Sequence, residues 1–209
     1  MNGFTQLIDG YHRFRDNDWR RQHERWAQLR EGQSPQVMVI ACSDSRVDPT
    51  QIFDVSPGEI FVVRNVANLV PPFEEGGGRH GVSAALEFAV TQLEVPHIVV
   101  MGHGSCGGCA AALSRRFHDS PQGEGGFIAH WVDMLDDARD RIVAELGDGD
   151  EAAHAMELET VRISLNNLTS FGFVDDRVKA GKLNLHGAYF AIMDGVLHLM
   201  NDKGEFAPA

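Results

Sequence analysis

Cysteine is scarce in this sequence. Only three cysteines occur among 209 residues, and three thiols cannot all pair, so a disulfide framework is not expected. Thiols that stay reduced are typical of a reducing compartment, and we expect a cytoplasmic protein. The first stretch, "MNGFTQLIDGYHRFRDNDWRR", has no apolar core and mixes acidic with basic side chains. It therefore indicates neither a signal peptide nor a transit peptide.

Basic residues and long apolar runs are also few. The chain has 18 Lys and Arg against 30 Asp and Glu, which gives a formal net charge of −12. Nucleic acids and anionic membranes attract basic patches, so this excess of acid disfavours both as partners. No apolar run approaches the roughly 20 residues of a membrane-spanning helix. The hydrophobic content of 43% is ordinary for a globular domain with a sizeable core.

Three short apolar runs define the predicted core. They are rich in Val and Ile and lie at residues 37–41, 60–64 and 97–101. Continuous runs of this kind predict strands that are buried on both faces of a parallel sheet. A helical pattern over 81–95 separates the second run from the third, which gives βαβ order. We predict an α/β fold with a mainly parallel central sheet of four to five strands, flanked by helices.

The two ends of the chain have different patterns. Residues 1–32 are polar except for apolar positions at helical spacing, and we interpret them as an N-terminal helical arm with a break near "RDND". Residues 33–209 are predicted to form one α/β core. Within that core, helices are expected over 127–145 and 150–171, and Asp194-Gly195 predicts a hairpin inside residues 183–200.

All three cysteines lie just after a predicted strand. Cys42 is in "ACSDSRVDP", which follows the first apolar run, and "GHGSCGGCAA" after the third run supplies His103, Cys106 and Cys109. In a parallel sheet both stretches meet at the carboxyl edge, where open α/β sheets build their ligand sites. Two thiolates and an imidazole are ligands that Zn²⁺ prefers, and three protein ligands leave a fourth position open for catalysis. We predict one Zn²⁺ per chain, bound by Cys42, His103 and Cys106.

Asp44 and Arg46 follow Cys42 by two and four residues. Asp44 is close enough to occupy the fourth metal position or to stand beside it, and Arg46 could hold it away through a bidentate pair. A redox alternative comes from "CGGC" at 106–109, a Cys-x-x-Cys at a predicted helix start. That alternative leaves Cys42, Asp44, Arg46 and His103 without a role, so the metal interpretation is preferred.

Three stretches carry a family resemblance. "ACSDSRVDP", "PGEIFVVRNVANLVPP" and "HGSCGG" resemble the signatures of β-class carbonic anhydrases, and the resemblance extends from about Gly32 to Met200. It is similar to the plant-type branch of that family. The resemblance implies zinc-dependent, reversible hydration of carbon dioxide to bicarbonate and a proton. It also implies a homodimer or a dimer of dimers.

The resemblance carries over to individual residues. It implies that Cys42, His103 and Cys106 are the zinc ligands and that Asp44 and Arg46 are the catalytic dyad. It implies that Gln33 hydrogen-bonds the substrate, usually across a dimer interface. The remaining substrate-binding positions that it implies are Phe61, Val66, Phe88 and Gly104. Phe88 stands where plant members often have tyrosine, and Cys109 stands where the family usually has an apolar residue, so Cys109 is predicted to be a buried helix residue.

Two other functions fit the same ligands. Hydrolases of carbon disulfide or carbonyl sulfide use this scaffold, and a non-catalytic zinc-bearing sensor would keep the site closed. Family members that close under bicarbonate control carry a tryptophan three residues before the first cysteine ligand. Val39 occupies that position here, so we predict an open site near neutral pH, with Asp44 bonded to Arg46 and not to zinc.

Overall fold

The computed structural model describes residues 2–76 and 78–209. Internal contacts divide them into two units, with the boundary between Ser34 and Pro35. In the first unit, helix α1 spans Gly3–Phe14, and the Asn2 side chain caps it by accepting a hydrogen bond from the Thr5 N–H at 2.9 Å. A π-helical turn at Arg15–Trp19 follows, at the predicted break, and helix α2 spans His23–Leu29.

The apolar side chains of α1 do not form a core within their own unit. Phe4 and Leu7 are 71% and 70% exposed, and neither α1 nor α2 contains a buried residue. A helix of this kind gains little stability from its apolar face unless another surface covers that face.

The second unit is built on a six-stranded sheet. In chain order, the strands are β1 Val37–Cys42, β2 Ile60–Asn65, β3 His97–His103, β4 Asn184–Ala191, β5 Val196–Met200 and β6 Phe206–Pro208. Their spatial order is β2-β1-β3-β4-β5-β6. The first four strands pair in parallel, and the predicted hairpin adds β5 antiparallel to β4. The predicted fold class is confirmed, and the short β6 extends the sheet beyond the expected four to five strands.

Helices cover the sheet and connect its strands. They are α3 Pro49–Ile52, α4 Gly81–Glu87, α5 Gly107–Ser114, α6 Gly126–Val132, α7 Asp136–Leu146, α8 Asp150–Leu168 and α9 Gly172–Lys179. A π-helical turn continues α4 through Phe88–Gln92, and 3₁₀ turns lie at Val66–Asn68 and Asp133–Leu135. None of the helices in the described part of the chain is both long and apolar enough to cross a membrane.

The longest helix, α8, lies directly on the sheet. Val161 of α8 is fully buried in the cluster that also contains Ile98 and Val100 of β3. A Cβ placed on Gly102 of β3 would lie 2.8 Å from the Val161 side chain, so only glycine lets the helix approach this closely. This close packing sets the distance between α8 and the end of β3, where His103 lies.

Candidate active site

The three predicted metal ligands converge at one edge of the sheet. Cys42 ends β1, His103 ends β3, and Cys106 immediately precedes α5. All three are buried, and their candidate ligand atoms lie within 4.8 Å of one another. The two sulfur atoms, Cys42 Sγ and Cys106 Sγ, are 3.9 Å apart. The parallel register explains this convergence, because β1 and β3 end side by side.

His103 is oriented for coordination. Its Nδ1 donates a hydrogen bond to the Gly104 carbonyl at 2.9 Å, which leaves the lone pair of Nε2 available. Nε2 is buried and has no hydrogen-bond partner among the described residues. A buried polar atom without a partner costs folding free energy, and coordination to a metal would satisfy this one. The donor set of two sulfurs and one imidazole therefore fits a thiophilic metal such as Zn²⁺.

Both thiols are held in the protonated form when no metal binds them. The hydrogen bond with Cys106, together with burial, raises the pKa of Cys42 to about 12. The hydrogen bond with Cys109 raises the pKa of Cys106 to about 12 as well. Metals bind the thiolate form, so loading this site must release protons from both cysteines.

Asp44 is bound to Arg46 and is not a member of the metal-ligating group. Arg46 Nε donates to Asp44 Oδ1 at 2.9 Å, and Arg46 Nη2 donates to Asp44 Oδ2 at 2.7 Å. This side-chain hydrogen bonding holds the pKa of Asp44 well below its usual range, so the carboxyl group is ionised at neutral pH. The same Nη2 also donates to the Ser105 carbonyl at 3.0 Å, which ties the dyad to the loop between His103 and Cys106.

The loop after β1 has a second support that we did not predict. Arg64 of β2 donates to the carbonyl of Cys42 at 2.9 Å and to the carbonyl of Asp44 at 2.6 Å. It also pairs with Asp48 at 3.1 Å. A charged residue in the otherwise apolar run "IFVVR" was the available signal, since a half-buried arginine in a strand needs acceptors nearby. Glu157 of α8, which accepts from the Cys106 N–H at 3.1 Å, was also missed.

Some predicted pocket residues lie far from the ligands of their own chain. The rings of Phe61 and Phe88 are stacked on each other with centroids 6.0 Å apart. Phe61 pairs with Met38, four residues before Cys42, so it lies about 13 Å from the metal edge along the strand. Their substrate-binding role stays a prediction and would need a second copy of the chain. Gln33 is exposed and lies in the first unit, and its role also stays a prediction.

Val66, Gly104 and Cys109 lie close to the ligands. Val66 directly follows β2 and is 40% exposed, and a Cβ on Gly108 of α5 would lie 2.7 Å from it. Gly104 follows His103, and its N–H donates to the Phe190 carbonyl at 3.0 Å. Cys109 is buried in α5, outside the metal-ligating group, with its sulfur 4.0 Å from Thr160 Oγ1. This placement agrees with its interpretation as a core residue.

Comparison with known families agrees with this geometry. The family model described as "Carbonic anhydrase" matches residues 37–197, which include all three candidate ligands and the Asp44–Arg46 pair. The chain belongs to the β-carbonic anhydrase family. Beta carbonic anhydrase 6, mitochondrial, of Arabidopsis thaliana is 39% identical over 189 residues, 88% of this chain. Beta carbonic anhydrase 3 of the same plant is 33% identical over 212 residues, which cover 100% of this chain and 81% of that protein. The first match spans only 63% of the mitochondrial protein, less than two thirds of its length.

Solved β-carbonic anhydrases share the fold. The β-carbonic anhydrase CcaA superposes with a TM-score of 0.92 at 28% identity, and the match covers all of both chains. The Coccomyxa β-carbonic anhydrase, solved with acetazolamide, has a TM-score of 0.80 at 26% identity, covering 100% of this chain and 94% of the other. The resemblance that the sequence motifs carried is thereby confirmed.

Proposed function

We propose that this β-carbonic anhydrase catalyses the reversible hydration of carbon dioxide to bicarbonate and a proton, with one Zn²⁺ at Cys42, His103 and Cys106. The observation that carries the proposal is the convergence of two thiols and an unpaired imidazole nitrogen within 4.8 Å, in a chain of this family. Zn²⁺ held by these three residues would lower the pKa of a water molecule and so would supply the nucleophile near neutral pH.

Asp44 orients the reacting water. Its carboxylate accepts a hydrogen bond from the nucleophile, and the low pKa of Asp44 keeps it an acceptor at neutral pH. Arg46 holds both carboxylate oxygens, so it fixes the direction of the acceptor and keeps Asp44 off the metal. A permanently closed sensor would have Asp44 among the ligands, and no observation favours that alternative or a carbon disulfide or carbonyl sulfide hydrolase.

The rest of the substrate pocket is proposed to form between two copies of the chain. Val66 would supply an apolar wall beside its own ligands, while Phe61 and Phe88 of a second copy would close the pocket. Gln33 would donate a hydrogen bond to a substrate oxygen, and the backbone of Gly104 would line the base. The exposed apolar face of α1 supports a homodimer or a dimer of dimers. The solved structures of two tetrameric β-carbonic anhydrases of Sordaria macrospora include a chain that is 27% identical to this one.

We propose the cytoplasm as the compartment. All three cysteines are free and buried, which supports a reducing environment. Carbon dioxide and bicarbonate are the proposed small-molecule partners, and the net charge of −12 argues against nucleic acid or an anionic membrane surface.

The decisive experiment is stopped-flow hydration of carbon dioxide by protein of known metal content. The protein is stripped with a chelator, reloaded with Zn²⁺ and assayed at each stage, with carbon disulfide and carbonyl sulfide as competing substrates. We expect one zinc per chain and hydration activity that returns in proportion to zinc. Zinc-loaded protein that hydrolyses carbonyl sulfide but hydrates carbon dioxide no faster than buffer would contradict the proposal.

A further inference from the structure

A buried carboxylate lies behind the loop that carries two of the metal ligands. Glu157 of α8 is only 7% exposed. Its Oε1 accepts from the Cys106 N–H at 3.1 Å, and its Oε2 accepts from the Tyr189 hydroxyl at 2.9 Å. His154, one turn earlier on α8, places Nδ1 3.7 Å from Glu157 Oε2 and 3.3 Å from the Tyr189 oxygen. Both carboxylate oxygens are therefore engaged, one of them with the backbone of a metal ligand.

The loop needs support at this point. Ser105, between the two ligands, has φ of +56°, a left-handed conformation that costs a non-glycine residue free energy. Cys106 is the N-cap residue of α5, but its side chain makes no capping hydrogen bond there. The carboxylate of Glu157 takes the Cys106 N–H instead and sits at the positive end of the α5 dipole.

Arg46 holds the opposite side of the loop through the Ser105 carbonyl, and the side that carries Glu157 faces a cavity. Gly104 and Ser105 line a cavity of about 560 Å³, and Glu157 and Tyr189 line it as well. A Cβ on Gly104 would lie 3.1 Å from the Tyr189 hydroxyl oxygen, so Tyr189 contacts the loop as well. Glu157 and Tyr189 thus both contact the loop on the side that faces the cavity.

Stabilisation of the fold does not by itself explain why a glutamate occupies this buried position. A carboxylate at this depth loses hydration, and removing a charge from the interior in favour of apolar packing is often neutral or stabilising. The position of Glu157 does explain its presence, since Oε1 accepts from the Cys106 N–H in the stretch that sets the distance between His103 and Cys106. Its Oε2 accepts from Tyr189, which approaches Gly104 of the same stretch. Groups that orient metal ligands from behind typically change metal affinity by 10- to 100-fold when removed.

We propose that Glu157 is a positioning residue for the metal centre, which together with Tyr189 holds the loop from Gly104 to Cys106 in its metal-binding conformation. The proposal rests on the proposed function, because it takes the Cys42–His103–Cys106 group as the metal site. It adds that the site is organised before metal arrives, so that less of the binding free energy is spent on ordering the loop.

The test measures zinc affinity by competition with a chromophoric chelator, separately from hydration activity. Glu157→Ala removes both hydrogen bonds, and we expect zinc affinity to fall about 10- to 100-fold. Glu157→Gln keeps an oxygen for the Cys106 N–H and should recover most of that loss. Tyr189→Phe removes only the hydroxyl and should give an intermediate loss. Glu159→Gln is the matched control, because Glu159 lies on the same helix and pairs with Arg141 and Arg162 instead.

Two further measurements separate positioning from general stability. The gain in melting temperature on adding Zn²⁺ should shrink in Glu157→Ala, whereas a purely structural role would lower the melting temperatures of the metal-free and zinc-loaded proteins equally. The absorption spectrum of the Co²⁺-substituted protein should change in Glu157→Ala and not in Glu159→Gln.

Wild-type zinc affinity in both Glu157→Ala and Tyr189→Phe would overturn the proposal. If Glu157→Ala does not fold, Tyr189→Phe decides the question, because wild-type zinc affinity in that variant would overturn the proposal. Failure of the proposed function would appear as an inactive wild-type protein, which leaves the affinity comparison unaffected.

Discussion

The Arg46 guanidinium donates to both carboxylate oxygens of Asp44, at 2.9 and 2.7 Å. A bidentate pair of this kind fixes the carboxylate in direction as well as position. Asp44 is partly exposed, with 18% of its side chain accessible, so the pair lies at the mouth of the buried ligand group and not within it. That Asp44 stands beside the metal and not on it stays a prediction, and the pairing with Arg46 is the observation that supports it.

Arg46→Ala should separate these two states. Without its partner, Asp44 is free to take the fourth metal position, so we expect activity to fall by about 100-fold or more while the zinc content stays at one per chain. X-ray absorption at the zinc edge should then show an added oxygen ligand at roughly 2.0–2.2 Å. Arg141→Ala, which removes an exposed arginine that pairs with Glu159, is the control and should leave both readouts unchanged. Full activity in Arg46→Ala would show that Asp44 needs no such restraint.

Cys106→Ser and Cys109→Ser test the choice of ligands. Cys106 belongs to the metal-ligating group, whereas Cys109 is a buried residue of α5 that lies outside it. Cys106→Ser should lose zinc and activity together. Cys109→Ser should keep one zinc per chain and lose only stability, by about 1 kcal/mol, because a hydroxyl replaces a buried apolar sulfur. Metal analysis and denaturant unfolding check this pair, and equal metal loss in both variants would favour the Cys-x-x-Cys site.

The sequence predicted the site where residue type and strand order were sufficient. Continuous apolar runs located β1 and β3, and parallel order brought Cys42 to His103 and Cys106. The supporting groups were harder to predict, because Glu157 lies 51 residues from Cys106 along the chain. Its contact depends on the packing of α8, which no local pattern encodes. For Phe61 and Phe88 the substrate-binding role stays a prediction, since Phe61 pairs with Met38 at a distance from the metal edge of its own chain.

Gly108→Ala probes the contact between α5 and the turn after β2. The added Cβ would lie 2.7 Å from Val66 Cγ1 and 2.9 Å from Ala67 Cβ, in a region where Ala67 already has φ of +62°. We expect a loss of about 1–3 kcal/mol in unfolding free energy, as for other overpacked positions. Gly107→Ala is the matched control, since its Cβ would meet nothing within 4 Å and alanine favours the helix. Denaturant unfolding of both variants measures the difference, and equal stabilities would show that the turn moves freely.

His186→Asn should flatten the acid side of the stability profile. Partial burial and the neighbouring His97, whose Nδ1 lies 3.1 Å from His186 Nε2, lower the pKa of His186. The folded state therefore binds this proton less readily than the unfolded state, in which histidine has a pKa of about 6.5. Stability then rises with pH across the window below about 6.5 and levels off above it, so acidification from about pH 7 to pH 5 should destabilise the protein.

Urea unfolding at several pH values, with the metal content held constant, should show a shallower decline for His186→Asn than for the wild type. His130→Asn replaces an exposed histidine that pairs with Asp133, and it is the control. A slope for His186→Asn as steep as that of the wild type would mean that other groups cause the acid sensitivity.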